Sequence, residues 1–272
     1  MSTQPSFLQG LRPTLHISHR GGAALAPENT MEAFRQAVDT FQTDMLELDV
    51  HVTQDGEVVV AHDDTLERCT NGTGSLARYT LDALQKLDAG YGFTPDGGHT
   101  FPFRGRGVRI PTLREVLRAF PSLRLNVELK PDVPGQEDVL ARLLEREGAV
   151  ERVCLGSELD AVGERLVARL PRACHFYPRD ALASFVITLR NGESPPEDPR
   201  FTVLDMPLYF GDVRLVDAQF LRECAMRGKW VNVWTVDDPG EMQQLIEEGV
   251  GGIMTDRPDL LRQRMDATAK PG

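Results

Sequence analysis

The sequence predicts an α/β fold, a (β/α)8 TIM barrel. Three observations carry that reading. Short apolar runs recur eight times, at 15–19, 45–50, 123–130, 153–157, 174–177, 202–206, 230–236 and 252–255. Stretches with helical periodicity or helix caps lie between them. The length, 272 residues, is close to the ~250 of a single barrel. An open doubly wound sheet is the alternative. No Gly-x-Gly-x-x-Gly follows the first run to favour a dinucleotide-binding version of it.

The elements follow in order. The first run ends in His19-Arg20-Gly21, and Met31, Phe34, Val38 and Phe41 then share one helical face. In the second run Glu47 and Asp49 lie on one face of a strand, while Leu46, Leu48 and Val50 lie on the other. Residues 50–62, VHVTQDGEVVVAH, break the alternation, because Asp55-Gly56 between two β-rich stretches signals a β-hairpin excursion. With the turn centred on Asp55-Gly56, Val60 faces His51 and His62 stands beside Asp49. A slip of one residue would send His62 to the other face.

Residues 63–109 are rich in Gly, Thr and Asp, with a helix-like piece at 81–87. They read as a small insertion at the C-terminal mouth of the barrel rather than a separate core, so 1–272 forms a single barrel domain carrying it. Thr112-Leu-Arg-Glu115 is a capping box opening a helix to Phe120. The third run closes on Glu128 and Lys130, the same inward pattern as Glu47 and Asp49. Asn191 to Arg200, NGESPPEDPR, is a solvated connection. Asp238-Pro-Gly-Glu241 caps a further helix with Pro at its first position.

Charge and composition remove several function classes. Lys and Arg number 30 against 41 Asp and Glu, a net charge of −11. A nucleic acid or an anionic membrane needs clustered basic residues, so neither is an expected partner, and no stable membrane association is expected. No stretch approaches the ~20 apolar residues of a membrane span. The amino-terminal MSTQPSFLQGLRPT shows no apolar signal-peptide core. Cys69, Cys154, Cys174 and Cys224 form no C-x-x-C pair, which disfavours zinc and redox motifs and suits a reducing, cytoplasmic setting.

Carboxylates inside a barrel are costly unless paired or bound to a cation. An isolated Glu-x-Asp reads equally well as a salt-bridged or solvated surface pair. Two inward faces ending in charge, at the end where barrels keep their active sites, put Glu47, Asp49 and Glu128 as metal ligands level with that bland reading. Three oxygen ligands suit one hard divalent cation, Ca²⁺ or Mg²⁺. His19 and His62 beside such a centre suit acid–base catalysis near neutral pH. Arg20 offers a fork for phosphate. His51 shares the parity of Glu47 and Asp49 and could line the mouth, although a structural role is the commoner reading. His16, His99 and His175 find no partners by sequence. Trp234 either walls the pocket or packs in the core. Gly72-Thr-Gly74 is a phosphate cradle or merely a loop.

Taken together, several segments resemble one known family. They are His19-Arg20-Gly21, Pro27-Glu28-Asn29-Thr30, Glu47-Leu-Asp49-Val, Asp55-Gly56, His62-Asp63 and Asn71-Gly72-Thr73-Gly74. After these come Ile110-Pro111-Thr112-Leu113, Glu128-Leu-Lys130, Trp234-Thr235-Val236 and Thr255-Asp256-Arg257-Pro258. In this order they resemble the glycerophosphodiester phosphodiesterases of the PLC-like phosphodiesterase superfamily. The resemblance implies a metal-dependent barrel that hydrolyses glycerophosphodiesters, such as glycerophosphocholine or glycerophosphoethanolamine, to glycerol 3-phosphate and an alcohol.

It further implies Glu47, Asp49 and Glu128 on the metal, His19 and His62 as acid and base, and Arg20 and Lys130 on the phosphate. Water and the neighbouring glycerol hydroxyl both stay open as nucleophile. Three positions depart from the family pattern: Glu158 after Ser157, Gly251 where Asp is common, and Cys69 for a frequent Thr. The alternatives are a lysophospholipase D or C activity, with Phe93, Phe101 and Phe103 as its apolar patch, and a non-catalytic phosphodiester-binding barrel. A homo-oligomer is compatible with all three readings.

Overall fold

Alternating residue character along the strands explains the architecture. The computed structural model describes residues 5–196 and 198–269. Residues 1–4 of the amino-terminal stretch and residue 197 of the Pro-rich loop lie outside them. The strands are β1 (Leu15–Ser18), β2 (Met45–Val52), β3 (Val58–Val60), β4 (Arg124–Leu129), β5 (Val153–Gly156), β6 (Cys174–His175), β7 (Val203–Pro207), β8 (Tyr209–Phe210), β9 (Val213–Arg214), β10 (Trp230–Trp234) and β11 (Gly252–Thr255). The helices are α1 (Met31–Arg35), α2 (Leu81–Leu84), α3 (Leu113–Ala119), α4 (Gln136–Arg146), α5 (Asp160–Arg169), α6 (Arg179–Arg190), α7 (Ala218–Met226), α8 (Pro239–Glu248) and α9 (Pro258–Ala269).

Eight strands run parallel in the order β6-β5-β4-β2-β1-β11-β10-β7. A bridge between Phe176 and Val203 joins the two ends, β6 and β7. Backbone bonds Tyr177 N to Val203 O (2.9 Å) and Thr202 N to His175 O (3.0 Å) complete that seam. The barrel is therefore nearly closed, and all eight predicted strands are present.

Leu46, Leu48 and Val50 face outward and pack with Leu113, Val116 and Leu140 from α3 and α4. Phe185, Phe220, Met242 and Leu261 from α6 to α9 cover the β7–β10–β11 side. Inside the lower barrel, Ile17, Met45, Cys154, Cys174 and Met254 form an apolar plug. Phe7 and Leu8 seal it from below, where Arg124 donates to the carbonyls of Phe7 (2.8 Å) and Gln9 (2.9 Å). Both predicted caps form: Thr112 with Glu115, and Asp238 on the amides of Gly240 and Glu241. The helix after His19-Arg20-Gly21 differs in one respect. A π-turn over Gln36–Thr40 rotates its face, so Ala33, Phe34 and Ala37 are fully buried while Met31, Val38 and Phe41 are half-buried.

The hairpin register departs from expectation by one residue. Its loop holds three residues, Gln54-Asp55-Gly56, with Thr53 N bonded to Glu57 O (2.9 Å) and Gly56 at φ +84°. Three-residue loops of this kind carry an αL glycine and add a residue to the turn. Val60 therefore faces Val50, and His51 faces Val59. Taken alone, that slip would turn His62 away from the cavity. The ladder ends at Val60, Ala61 N closes on Asp49 O (3.0 Å), and the chain bends so that His62 lines the cavity.

Residues 63–109 pack a small apolar cluster of their own, formed by Leu66, Leu76, Leu84, Ala89, Val108 and Ile110, with Val59 of β3 included. The helical piece is shorter than predicted, Leu81–Leu84.

Candidate active site

β1, β2 and β4 end side by side at the mouth, and each delivers two site residues. Their side chains open into a cavity of about 390 Å³ that also meets His62 and Trp234. All eight residues singled out from the sequence thus line one space.

Six contacts to four carboxylates organise it. Lys130 Nζ lies 3.0 Å from Asp49 Oδ1 and donates to Glu128 Oε2 at 2.9 Å. Arg20 Nε stands 3.3 Å from Asp49 Oδ2, an ion pair too far off line to be a hydrogen bond, and Arg20 Nη1 donates to Glu28 Oε1 at 3.0 Å. The Arg20 amide donates to Glu47 Oε2 at 3.0 Å. Asn29 Nδ2 donates to Asp49 Oδ2 at 2.9 Å. Arg20 and Asn29 both hold left-handed backbone (φ +50° and +57°), and the Asn29 amide bonds the Arg20 carbonyl at 2.9 Å. Non-glycine residues persist in that region only where their surroundings over-determine them, as here.

The two histidines are mounted alike. His19 Nδ1 lies 2.7 Å from Asp256 Oδ1, and His62 Nδ1 lies 2.6 Å from Asp63 Oδ1. A carboxylate on Nδ1 fixes ring orientation and leaves Nε2 as the working nitrogen. Nε2 of His19 sits 3.8 Å from Glu47 Oε2. Burial opposes the charged form of His19, but Glu47 and Asp256 outweigh it and raise its pKa.

The carboxylates divide. Burial, with Asp49 beside it, pushes Glu47 up to about 8. Burial also raises Glu128, against the pull of Lys130. Asp49 goes down, because Lys130 and Arg20 overcome its burial. The protein's own cations thus compensate Asp49 and leave Glu47 under-compensated, so that without a further cation it favours its protonated form. A buried acid that lacks a sufficient counter-charge, within an all-oxygen donor set, fits a hard divalent cation. Among the described residues, no three acidic or histidine side chains already converge at ligand spacing. Lys130 instead bridges Asp49 and Glu128, at 3.0 and 2.9 Å.

For the remaining residues the structure bears out the plainer reading. His51 does not line the cavity; its Nε2 donates to the His62 carbonyl (3.1 Å), beneath the insertion. Gly72-Thr-Gly74 is no phosphate cradle, because the Gly72 amide is taken by Thr70 Oγ1 (2.9 Å) and the Gly74 amide by Glu67 Oε1 (2.6 Å). His16 and His175 are buried structural residues bonded to the carbonyls of Pro258 and Leu170. Phe93 packs edge-on to Phe103 at 5.3 Å, and Arg104 covers Phe101 at 3.7 Å, so these rings form no open patch. Exposed apolar surface lies instead on the β8–β9 hairpin, where Phe210 is 76% exposed beside Tyr209 and Val213.

Sequence reasoning also missed several functional neighbours. Arg68, from the insertion, donates to Glu28 (2.5 and 2.8 Å) and to Asp63 (2.6 and 2.9 Å). One side chain thereby braces the partner of Arg20 and the partner of His62. Glu158 lines the cavity, pairs with Arg179 and donates its amide to Glu128 Oε1 at 3.3 Å. A Cβ at Gly251 would stand 2.6 Å from Trp230 Nε1, so the indole takes the room an Asp would need.

Residues 19–260 match the sequence profile of the glycerophosphoryl diester phosphodiesterase family. The chain belongs to that family. A glycerophosphodiester phosphodiesterase of Caldanaerobacter subterraneus subsp. tengcongensis is 33% identical over 262 residues, covering 91% of this chain and 96% of the relative. The human lysophospholipase D GDPD1 is 28% identical, over 91% of this chain and 84% of its own. The crystal structure of a glycerophosphoryl diester phosphodiesterase domain from Mycobacterium tuberculosis superposes with a TM-score of 0.82, covering 93% and 99%, at 24% identity. That match establishes the barrel. Among the described residues, no helix is long and apolar enough to cross a membrane.

Proposed function

We propose that this phosphodiesterase hydrolyses small glycerophosphodiesters, such as glycerophosphocholine or glycerophosphoethanolamine, to glycerol 3-phosphate and an alcohol, with one divalent cation. The observation carrying it is the pairing of two carboxylate-mounted histidines across one cavity with Arg20, Lys130 and three buried carboxylates. Glu47, Asp49 and Glu128 would hold Ca²⁺ or Mg²⁺. Bound there, the cation would draw negative charge from a phosphoryl oxygen.

The chain's own groups do the rest. The Arg20 fork and the Lys130 ammonium flank the phosphate and stabilise its growing charge. One histidine takes a proton through Nε2 from the nucleophile, and the other gives one to the leaving alkoxide; the nucleophile is either water, which yields glycerol 3-phosphate directly, or the neighbouring glycerol hydroxyl, whose cyclic phosphate a water then opens. Asp256 and Asp63 stabilise each imidazolium as it forms. Trp234 walls the side where the leaving group departs. The reading also places one domain over 1–272 with 63–109 inserted, in the cytoplasm, where four free cysteines stay reduced.

A coupled assay for glycerol 3-phosphate across head groups, with and without chelator, tests this. His19→Ala and His62→Ala should each lower kcat by ~10²–10⁴. Full activity in either variant, or turnover in excess chelator, refutes the mechanism. Binding of glycerophosphocholine without product would restore the non-catalytic reading.

The exposed β8–β9 hairpin favours a second reading, hydrolysis of lysophospholipids. It directly follows Pro207, which lines the cavity, so an acyl chain leaving the mouth would meet Phe210. Phe210→Asp should then slow micellar lysolipid turnover and leave glycerophosphocholine turnover unchanged.

A further inference from the structure

The cavity has two unlike halves. β1, β2 and β4 supply the ionic side. β6, β7 and β10 supply Phe176, Pro207 and Trp234, and one acid stands among these apolar groups, Asp205. Its two oxygens are set by amides: Asn126 Nδ2 donates to Oδ2 at 2.7 Å, and Asn232 Nδ2 to Oδ1 at 2.8 Å. Asn232 is fixed in turn, because its Oδ1 accepts from Trp230 Nε1 at 2.9 Å. Among the described residues no cation pairs with Asp205. Elsewhere this site pairs its acids with Arg, Lys or His, and Asp205 alone is held by neutral donors. Each carboxylate oxygen accepts more than one hydrogen bond. Asp205 therefore keeps acceptor capacity on the side open to the cavity.

We propose that Asp205 is the floor of a polyol subsite, accepting hydrogen bonds from the hydroxyls of the substrate's glycerol moiety. The inference rests on the diesterase reading above and names which half of the diester enters first. Depth supports it. Asp205 lies two residues below Pro207 on β7, while Trp234 and the exposed hairpin surround the rim. The half common to all substrates thus meets fixed polar groups, and the variable alcohol stays at the apolar rim. A floor of amides and one carboxylate suits hydroxyls, which both donate and accept. A quaternary ammonium could use only the charge.

The test compares sn-glycero-3-phosphocholine with its 1-deoxy analogue, in which the terminal hydroxyl is replaced by hydrogen and the 2-hydroxyl is kept. Choline release is measured for wild type, Asp205→Ala and Asp205→Asn. Wild type should prefer the glycerol compound by about 10–100-fold in kcat/KM, as expected for a hydrogen bond to a charged group. Both variants should lose most of that preference while hydrolysing the deoxy analogue within about threefold of wild type. Equal treatment of the two compounds by wild type overturns the subsite, whether or not Asp205→Ala folds. A variant that slows on both compounds alike, with an unchanged melting temperature, also overturns it and makes Asp205 a scaffold residue. If wild type releases choline from neither compound, the diesterase reading falls and this inference falls with it; the other overturning results leave that reading standing.

Discussion

Arg68→Ala should impair catalysis from outside the cavity. The guanidinium makes four charge-assisted bonds, two to Glu28 and two to Asp63, at 2.5 to 2.9 Å. Glu28 holds Arg20, and Asp63 holds His62. Hydrogen bonds to charged groups are worth about 1.5–3 kcal/mol each when buried. Arg68 is half exposed, so screening reduces the sum and the expected stability loss is only about 1–2 kcal/mol. The kinetic loss should be larger than that suggests. Without Arg68, Glu28 keeps Arg20 and Asp63 keeps His62, but the cation that bridges the two acids is gone, so Asp63 is free to swing and His62 loses its fixed orientation. Acid–base assistance is worth ~10²–10⁴. Losing part of one histidine's share predicts a fall of about 10–100-fold in kcat, with a smaller change in KM and a shifted pH–rate limb. Arg68→Lys restores charge but not the fork, so it should recover stability more than rate. Steady-state kinetics over a pH series, beside thermal melts, read both effects. A variant with wild-type kcat and pH profile refutes the bracing role.

Three further outcomes follow from the geometry. Without metal, Glu47 keeps in the folded state a proton that the unfolded chain releases near 4.5, so stability should fall as pH rises from about 5 to about 8. Glu47→Gln should flatten that slope, as should added Mg²⁺ or Ca²⁺; denaturant titrations with and without chelator check both, and a metal-free curve rising with pH contradicts the assignment. Asp256→Asn removes one of the two acids that raise His19, so an NMR titration of the metal-free protein should show the His19 pKa moving down; no movement would mean that Glu47 alone sets it. Gly156→Ala would drive a Cβ into the Phe176 ring, costing about 1–3 kcal/mol of stability and displacing the cavity wall, seen as a lower melting temperature and a raised KM.

Much of the site was legible because it obeys period-2 alternation at strand ends. Glu47, Asp49, Glu128 and Lys130 announced themselves as charge on an inward face. His62 was placed correctly by a register that was itself one residue out. The loop was longer by a residue, and the chain left the ladder before the slip could matter. What stayed hidden depended on contacts far apart in sequence. Arg68 reaches Glu28 across 40 positions, and Asn126 reaches Asp205 across 79. An Asp inside the run Val203–Pro207 carries no local signal that distinguishes a floor acceptor from a solvated end. The π-turn after α1 was equally silent, since a helical wheel assumes one constant pitch.

The barrel's wall is not uniform. β2 and β4 share a six-residue ladder beneath the histidines and carboxylates. Opposite them, a two-residue β6 meets β7 through a single bridge. Parting that seam breaks few bonds, whereas parting the other side would undo a whole ladder. The barrel is therefore stiff where β2 and β4 carry Glu47, Asp49 and Glu128, and more compliant beside Phe176. Breathing motions of the pocket should open toward Phe176 and Tyr177, and a change in substrate range could be accommodated there with the proton-transfer geometry left intact.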